Sequence, residues 1–567
     1  MFSRIKQTLE TCLQKDNRLD NGISTRLPLL NISLAGDPMK RQIYLMTIVA
    51  LTSLFLSACG GGLTDTDDSD GGGLQGNEIP FPEPVPASGL CQSGDTQRGA
   101  TACGVDNVGR LTQSCVDGVW QNTSQCDTQC WGNWRDLELA VMDFTNISDQ
   151  ALHDQLLGFV EEAAGRLETT LDVRDTNERL RLNRSVCYDI DVPSAWRTQG
   201  LANTDFVVFL DNATDNCTTN TLAWATTCDW DANGKPIAMR LNMCPRMLSN
   251  PEPVTDVDTL EHEMIHGLAF NPQGYDNFVG CDGRSLGGIE QTTRMVTNPF
   301  GESQREITTG RVVMQAREHF GCSALTGVPL EDDGAQGTES AHWEQRLFAH
   351  ETMAGNQFGP SRLSSVTLAL LEDSGWYQPD YSRADALFHG KGQGCAFLTA
   401  TAPQEFPFDF CSSVSDNGCL PDATHRGICQ IFETSGDVTN PVFQHFGNST
   451  ELGPEVSEFF PFRAEPFDLT GTLASVGFHH ACTDPRGSTF VNRNIGETWG
   501  ESSRCFTGVD PNSGARTGLC YESVCRDDHL AVVYEGVEYI CPQEGGSMGI
   551  PFQNIELICP QFARICQ

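Results

Sequence analysis

Positive charge is scarce in this chain of 567 residues. Its 36 Lys and Arg stand against 75 Asp and Glu, a formal net charge of -39. That balance argues against a nucleic-acid partner, because nothing would neutralise phosphate. It fits solubility in an exterior compartment. Long apolar runs are wanting as well. The run that follows Lys40 and Arg41 falls short of the ~20 residues that a membrane span needs. Cysteine is the opposite case, with 24 residues. Cytosolic thiols are kept reduced, and the spacing is not that of repeated zinc ribbons, so the count points to a disulfide-rich exported protein. The pairing cannot be read from sequence. The length allows two to four domains, and a composition of 39% hydrophobic and 20% charged residues is globular.

The beginning of the chain supports export. From Met39, a charged pair (Lys40 and Arg41) precedes an apolar stretch that ends in Leu56, Ser57, Ala58 and Cys59. The order resembles the signal and lipobox of bacterial lipoproteins, which implies cleavage before Cys59, a lipid on Cys59, and an outer-membrane or cell-surface location. Residues 1–38 then read as upstream sequence from a misassigned start codon, and 39–58 as the signal peptide. Residues 59–90, rich in Gly, Asp and Pro, read as the lipidated cysteine and a flexible tether. Asp65, Asp67 and Ser69 mimic part of a calcium loop but lack its sixth-position glycine and twelfth-position glutamate.

Four cysteines at 91, 103, 115 and 126, with Cys130 close behind, mark a small module over 91–130 that needs staples to fold. From 131 the pattern is globular. Leu152, Leu156, Leu157, Val160, Ala164 and Leu167 recur at helical spacing within 151–171. Residues 205–210 read as a buried strand. Residues 235–245 alternate as a half-buried strand, with Ile237, Met239, Leu241 and Met243 on one face. Between them Asp229, Asp231, Asn233 and Gly234 copy half of an EF-hand loop, but Arg240 at the twelfth position would repel calcium, and Asn-Gly predicts a hairpin turn. Helix, strands and a further helix give an α+β domain over 131–385. Beyond it, 386–567 reads as a disulfide-rich, mainly β or irregular C-terminal domain.

The segment 259–270, "TLEHEMIHGLAF", holds His-Glu-x-x-His. In zinc peptidases two such histidines, four apart on one helix face, bind the metal, and the glutamate works on a water. Asp258 and Glu261 have the form of a capping box, with Asp258 at the N-cap. Leu260, Met264, Ile265 and Leu268 form a core stripe. A catalytic zinc needs a third protein ligand. The compact metzincin motif supplies it six residues after the second histidine, where this chain has Pro272, and its glycine is Ala269 here. Glu290 is one candidate, but the glycines of "SLGGIEQTT" argue against the helix it would need, and spacing does not choose among the others, His319, His342 and His350.

A resemblance does. Residues 205–270 and 313–397 resemble leishmanolysin, the M8 family of metzincin peptidases. So do "AREHFGCSALTGVPLEDDG" at 316–334, "AHWEQRLFAHETM" at 341–353, "LALLEDSGWYQPDYS" at 368–382 and "GCAFL" at 394–398. "YICPQEGG" and "LICPQFARIC" near the end resemble that family's cysteine pattern, so the likeness runs over about 135–566. In that family a long insertion, here about 271–341, separates the zinc helix from the third histidine. The resemblance implies a metzincin-like fold and one catalytic Zn2+ on His262, His266 and His342. It also implies Glu263 as general base and proton donor, and Met353 as the Met-turn methionine. His350 is then a surface or supporting residue and not a ligand. The implied activity is zinc-dependent endopeptidase cleavage of protein or peptide substrates, laid along an edge strand near 235–243. The competing reading is a catalytically impaired surface adhesin. Its support is the cysteine module and Ala269, which would be strained if that position needs a positive φ.

Overall fold

The computed structural model describes residues 96–103, 109–116, 119–127, 130 and 133–566, apart from short internal stretches, the longest at 465–480 and 488–494. The expectations for 1–90, including Cys59, lie outside the described residues, as does Cys91.

The chain is α+β. Three antiparallel strands, Thr96–Cys103, Gly109–Val116 and Val119–Asp127, form a small sheet. The central sheet contains β1 (Leu139–Asp143), β2 (Phe206–Asp211), β3 (Ala223–Trp230) and β4 (Pro236–Met243), in the order β3-β4-β2-β1. β3 and β4 form an antiparallel hairpin, whereas β2 is parallel to both β4 and β1. The hairpin turn is the predicted Asn-Gly turn. The Asp231 N–H bonds the Lys235 carbonyl at 2.8 Å, and Gly234 has φ +82°.

Strand β4 corrects two expectations. All eight of its residues are buried, so it is not half-exposed. It is also interior, and the edge next to it is β3. One face meets the main core and the other a smaller cluster with Leu182, Cys187, Ile190 and Val192. The polar side chains that made β4 look two-faced find partners: Arg240 pairs with Asp189 at 2.8 Å and with Asp211, and Asn242 brackets Ala213 with two hydrogen bonds.

Helix α1 (Gln150–Thr170) and helix α2 (Pro253–Leu268) pack on the sheet's main-core face. The predicted stripe on α1 is borne out at Leu156, Val160, Ala164 and Leu167, which are buried, while Leu152 and Leu157 are partly buried against the core. The capping expectation for α2 is overturned, since the helix begins a turn and a half earlier. Glu252 is its N-cap, accepting from the N–H groups of Val254 and Thr255, and Pro253 occupies the first turn. Asp256 reaches back to the Glu252 N–H at 2.7 Å, so the reciprocal cap exists with different residues. Asp258 and Glu261, inside the helix, take Arg166 of α1 at 3.0 and 3.3 Å.

Burial pushes the Asp256 carboxyl up to about 7, reinforced by the neighbouring Glu252 charge. A raised acid holds its proton more tightly folded than unfolded, so its contribution to stability is full below about pH 4 and is lost as pH rises through about 7. Asp256→Asn is therefore expected to raise the thermal midpoint at pH 8 and leave it nearly unchanged at pH 4. Differential scanning fluorimetry at both values checks this.

Helices α3 (Gly310–Phe320) and α4 (Ser365–Asp373) complete the layer, joined by Arg311, which pairs with Glu372 and Asp373 at 3.0 Å each. The main core continues past 385 through Phe397, Phe406, Phe410, Phe460 and Phe462. Gly375, just after α4, has φ +74°, and a Cβ there would lie 2.2 Å from the Val279 carbonyl oxygen. Gly375→Ala combines left-handed strain with a backbone clash. It is expected to cost at least about 2 kcal/mol and to lower the thermal midpoint by several degrees.

The C-terminal part has its own core. A six-stranded antiparallel sheet runs in the order Val537–Ile540, Leu530–Tyr534, Arg516–Cys525, Ser503–Val509, Glu556–Cys559, Gly546–Met548. Among the described residues, disulfides 411–429, 419–505, 482–520, 525–566 and 541–559 staple this part. Cys130, expected to belong to the N-terminal module, instead pairs with Cys281 across 151 residues. Disulfides 187–228, 217–244 and 322–395 tie the remaining layers. Such density belongs to an oxidising, extracellular setting. Among the described residues no helix is long and apolar enough to cross a membrane.

Candidate metal centre

Helix α2 carries His262 and His266 one turn apart, and His342 arrives from a loop after 75 intervening residues. Their Nε2 atoms converge, at 3.0 Å for 262–266, 3.2 Å for 266–342 and 3.2 Å for 342–262. The opposite ring nitrogens are anchored to main-chain carbonyls. Nδ1 of His262 faces Thr352 O at 2.6 Å, that of His266 faces Phe270 O at 2.7 Å, and that of His342 faces Thr338 O at 3.1 Å. A carbonyl oxygen only accepts, so each Nδ1 carries the proton and each Nε2 presents a lone pair. Three lone pairs at this separation repel one another unless a cation lies between them.

The donor set identifies that cation. Three neutral imidazoles are a catalytic zinc set, and tetrahedral Zn–N bonds of 2.0–2.1 Å place the nitrogens about 3.3 Å apart. Burial keeps the imidazoles neutral. It lowers His262, and lowers His266 further with help from the other two rings. It pushes His342 down to about 3. The carbonyls that orient the rings act as the supporting layer that fixes a metal ligand's tautomer.

Met353 is fully buried, and the backbone around it stitches the ligands together. Its carbonyl accepts from the Trp343 N–H at 2.9 Å, next to His342. The preceding residue, Thr352, holds His262. The Glu351 carboxylate accepts from the Met353 N–H, from the Ser364 N–H at 3.1 Å and from the Thr367 hydroxyl at 2.5 Å. The Trp343 indole N–H reaches the same Thr367 hydroxyl at 2.8 Å.

Glu263, between the two helix histidines, is half-buried. Burial pushes its carboxyl up to about 8, opposed by a hydrogen bond from the backbone of Ala225 on edge strand β3. Ala269 closes α2 at φ -161°, an extended conformation open to any residue, so the missing glycine costs nothing there.

The other third-ligand candidates lie elsewhere. Glu290 is exposed in the turn Ile289–Thr292. His319 bonds the His389 carbonyl at 2.8 Å. His350 is half-buried, and among the described residues its buried Nδ1 has no hydrogen-bond partner. The orienting carbonyls of Thr338, Thr352 and Phe270 leave no signal in the sequence, because any residue type supplies a carbonyl.

Comparison with known proteins agrees with this centre. The chain is 27% identical over 425 residues to the leishmanolysin-like peptidase of Drosophila melanogaster, covering 62% of this chain and 61% of that one. It is 28% identical over 354 residues to the leishmanolysin homolog of Crithidia fasciculata, covering 60% and 50%. With the leishmanolysin of Leishmania major it shares 27% over 373 residues, 58% of each chain. The match spans less than two thirds of each relative's length. The profile of the leishmanolysin family, peptidase M8, matches residues 153–567 and so takes in the α2 helix, His342 and the C-terminal sheet together. The chain belongs to the leishmanolysin family.

Proposed function

We propose that the protein is a zinc-dependent endopeptidase that cuts peptide bonds in proteins. The observation that carries this is the convergence of three Nε2 lone pairs beside Glu263 and an edge strand. A zinc ion held there supplies Lewis acidity, acidifying a water and polarising a carbonyl. His262, His266 and His342 hold the ion, and their carbonyl partners keep each ring aimed. Glu263 takes the water's proton on its carboxylate and delivers it to the leaving amine nitrogen. Met353 is a positioning residue whose backbone couples His262 to His342.

An extended substrate pairs along β3, residues 223–230, and not along the buried 235–243 stretch. β3 is the free edge beside the site, and its Ala225 already touches Glu263. The unstrained φ of Ala269 removes one support of the adhesin reading.

Casein cleavage by the purified protein is the test. Cleavage is expected, with loss on treatment with a zinc chelator and recovery on adding zinc. Cleavage indifferent to chelation would sink the proposal, as would a folded, zinc-loaded protein that cuts nothing.

The location is inferred as the surface of a bacterial cell, through a lipid on Cys59. Support comes from Lys40, Arg41 and the Leu56–Cys59 box, with an oxidising setting read from the disulfides. Residues 60–90 serve as tether, and the module ends before Cys130, which is joined to Cys281 by a disulfide. Mass analysis of the native N-terminus decides this: a chain beginning before Cys59 rules it out.

A further inference from the structure

Edge strand β3 has a walled pocket at its far end. Residues 182–192 lie against the sheet face opposite α2, where Leu182, Cys187, Ile190 and Val192 join the smaller core. Within them Val186–Cys187 pairs antiparallel with Ile190–Asp191, and Tyr188 and Asp189 form the two-residue turn. Three links pin this hairpin. The disulfide 187–228 ties it to β3, the Tyr188 hydroxyl shares a hydrogen bond with Thr226 Oγ1, and Asp189 pairs with Arg240 of β4. Just before the hairpin, the N–H groups of Asn183 and Arg184 donate to the Asp229 carboxylate at 2.6 and 3.1 Å. The Asn183 amide donates to the Trp230 carbonyl at 2.6 Å. Those bonds occupy the end of β3, so a strand added to its edge pairs along 223–228.

Between hairpin and strand lies a pocket of about 540 Å³, bounded by Arg184, Val186, Tyr188, Thr227, Cys228 and Trp230. Its wall is apolar where a solvated loop would be polar. Val186 is 42% and Tyr188 55% exposed, and the Arg184 guanidinium lies over the Trp230 ring at 5.2 Å. Tyr188 has φ +58° at the first position of a two-residue hairpin turn, where glycine is the default. An exposed aromatic ring kept at a strained position marks a surface used for contact.

The alternation of β3 places this pocket relative to the chemistry. Ala225 packs on the main core beside Glu263, and Thr227 donates to the Gly267 carbonyl of α2 at 3.4 Å. Thr226 and Cys228 turn the other way, to the hairpin. From Ala225 to Cys228 an added strand advances three residues, about 10 Å at ~3.4 Å each. Antiparallel addition is the more stable, and it lays the N-terminal side of a substrate along Thr227 and Cys228. Alternate side chains of that strand point to the face where the hairpin stands. We propose that the pocket between β3 and residues 183–188 is a specificity subsite for a large apolar or aromatic side chain about three residues before the scissile bond. The subsite rests on the peptidase reading and gives it a substrate class.

The purified full-length protein, zinc in place, digests a library of peptides from a denatured proteome, and mass spectrometry reads the cut sites. Phe, Tyr, Trp, Leu and Met are expected to be enriched two to four residues before the cut. Matched synthetic peptides with Phe or Ala at the enriched position should differ about tenfold in kcat/KM, in favour of Phe. Tyr188→Asn removes the ring while keeping a residue that tolerates the left-handed backbone. It is expected to bring the Phe-to-Ala ratio down to about threefold or less, without lowering the thermal midpoint. Val186→Ser, which leaves the turn untouched, should reduce the ratio in the same direction. Zinc-dependent cutting with no preference at those positions overturns the subsite and leaves the peptidase reading standing. A preference that survives in both variants also overturns it. Protein that cuts no peptide defeats the peptidase reading, and the subsite with it.

Discussion

Glu263→Gln is expected to lower the rate of casein cleavage by about 10²- to 10⁴-fold, the usual worth of a positioned acid–base group. The amide has almost the same shape and still accepts from the Ala225 backbone, so edge strand and helix stay in place. What it cannot do is take a proton from a water and release it to an amine. The three histidines are untouched, and zinc content should remain one per chain. The fall should lie in kcat, with KM little changed, because the amide keeps the cleft intact. A variant that cleaves at near the parental rate while holding zinc would remove Glu263 from the chemistry.

The second large effect is expected at His342. Replacing it with Ala leaves two imidazoles, one short of a catalytic zinc set, so zinc should fall well below one per chain and cleavage should vanish. A misfolded variant would give the same result, and metal-free stability separates the two. Without metal the parent carries three Nε2 lone pairs within 3.2 Å of one another. Deleting one relieves that repulsion, so metal-free His342→Ala should melt no lower than the metal-free parent, apart from the small loss of packing at a loop. Zinc should raise the midpoint of the parent and leave the variant unmoved. Full zinc and activity without His342 would point to a different third ligand.

The legible parts of this site were local. Two histidines and a glutamate four residues deep on an apolar helix are visible in "TLEHEMIHGLAF", because one helix positions all of them. The third ligand is a tertiary fact. With 75 residues intervening, spacing does not separate His319, His342 and His350, while glycines count against Glu290, and the likeness of "AHWEQRLFAHETM" to leishmanolysin singles out His342. The cap of α2 was legible but misread: Glu252 followed by Pro253 marks a helix start as well as Asp258 does, and Pro253 cannot lie deep in a helix. Strand order is not written in local pattern at all. β4 alternates like a surface strand, yet its polar residues find Asp211 and Ala213 inside, and its parallel pairing with β2 leaves β3 as the edge.

X-ray absorption at the zinc edge, on the purified protein as isolated, tests the central claim most directly. The account predicts stoichiometric zinc with three imidazole nitrogens and one further light atom at about 2.0–2.1 Å, and no sulfur. A sulfur shell near 2.3 Å, a two-histidine fit, or protein that folds and cleaves with no zinc bound would contradict it.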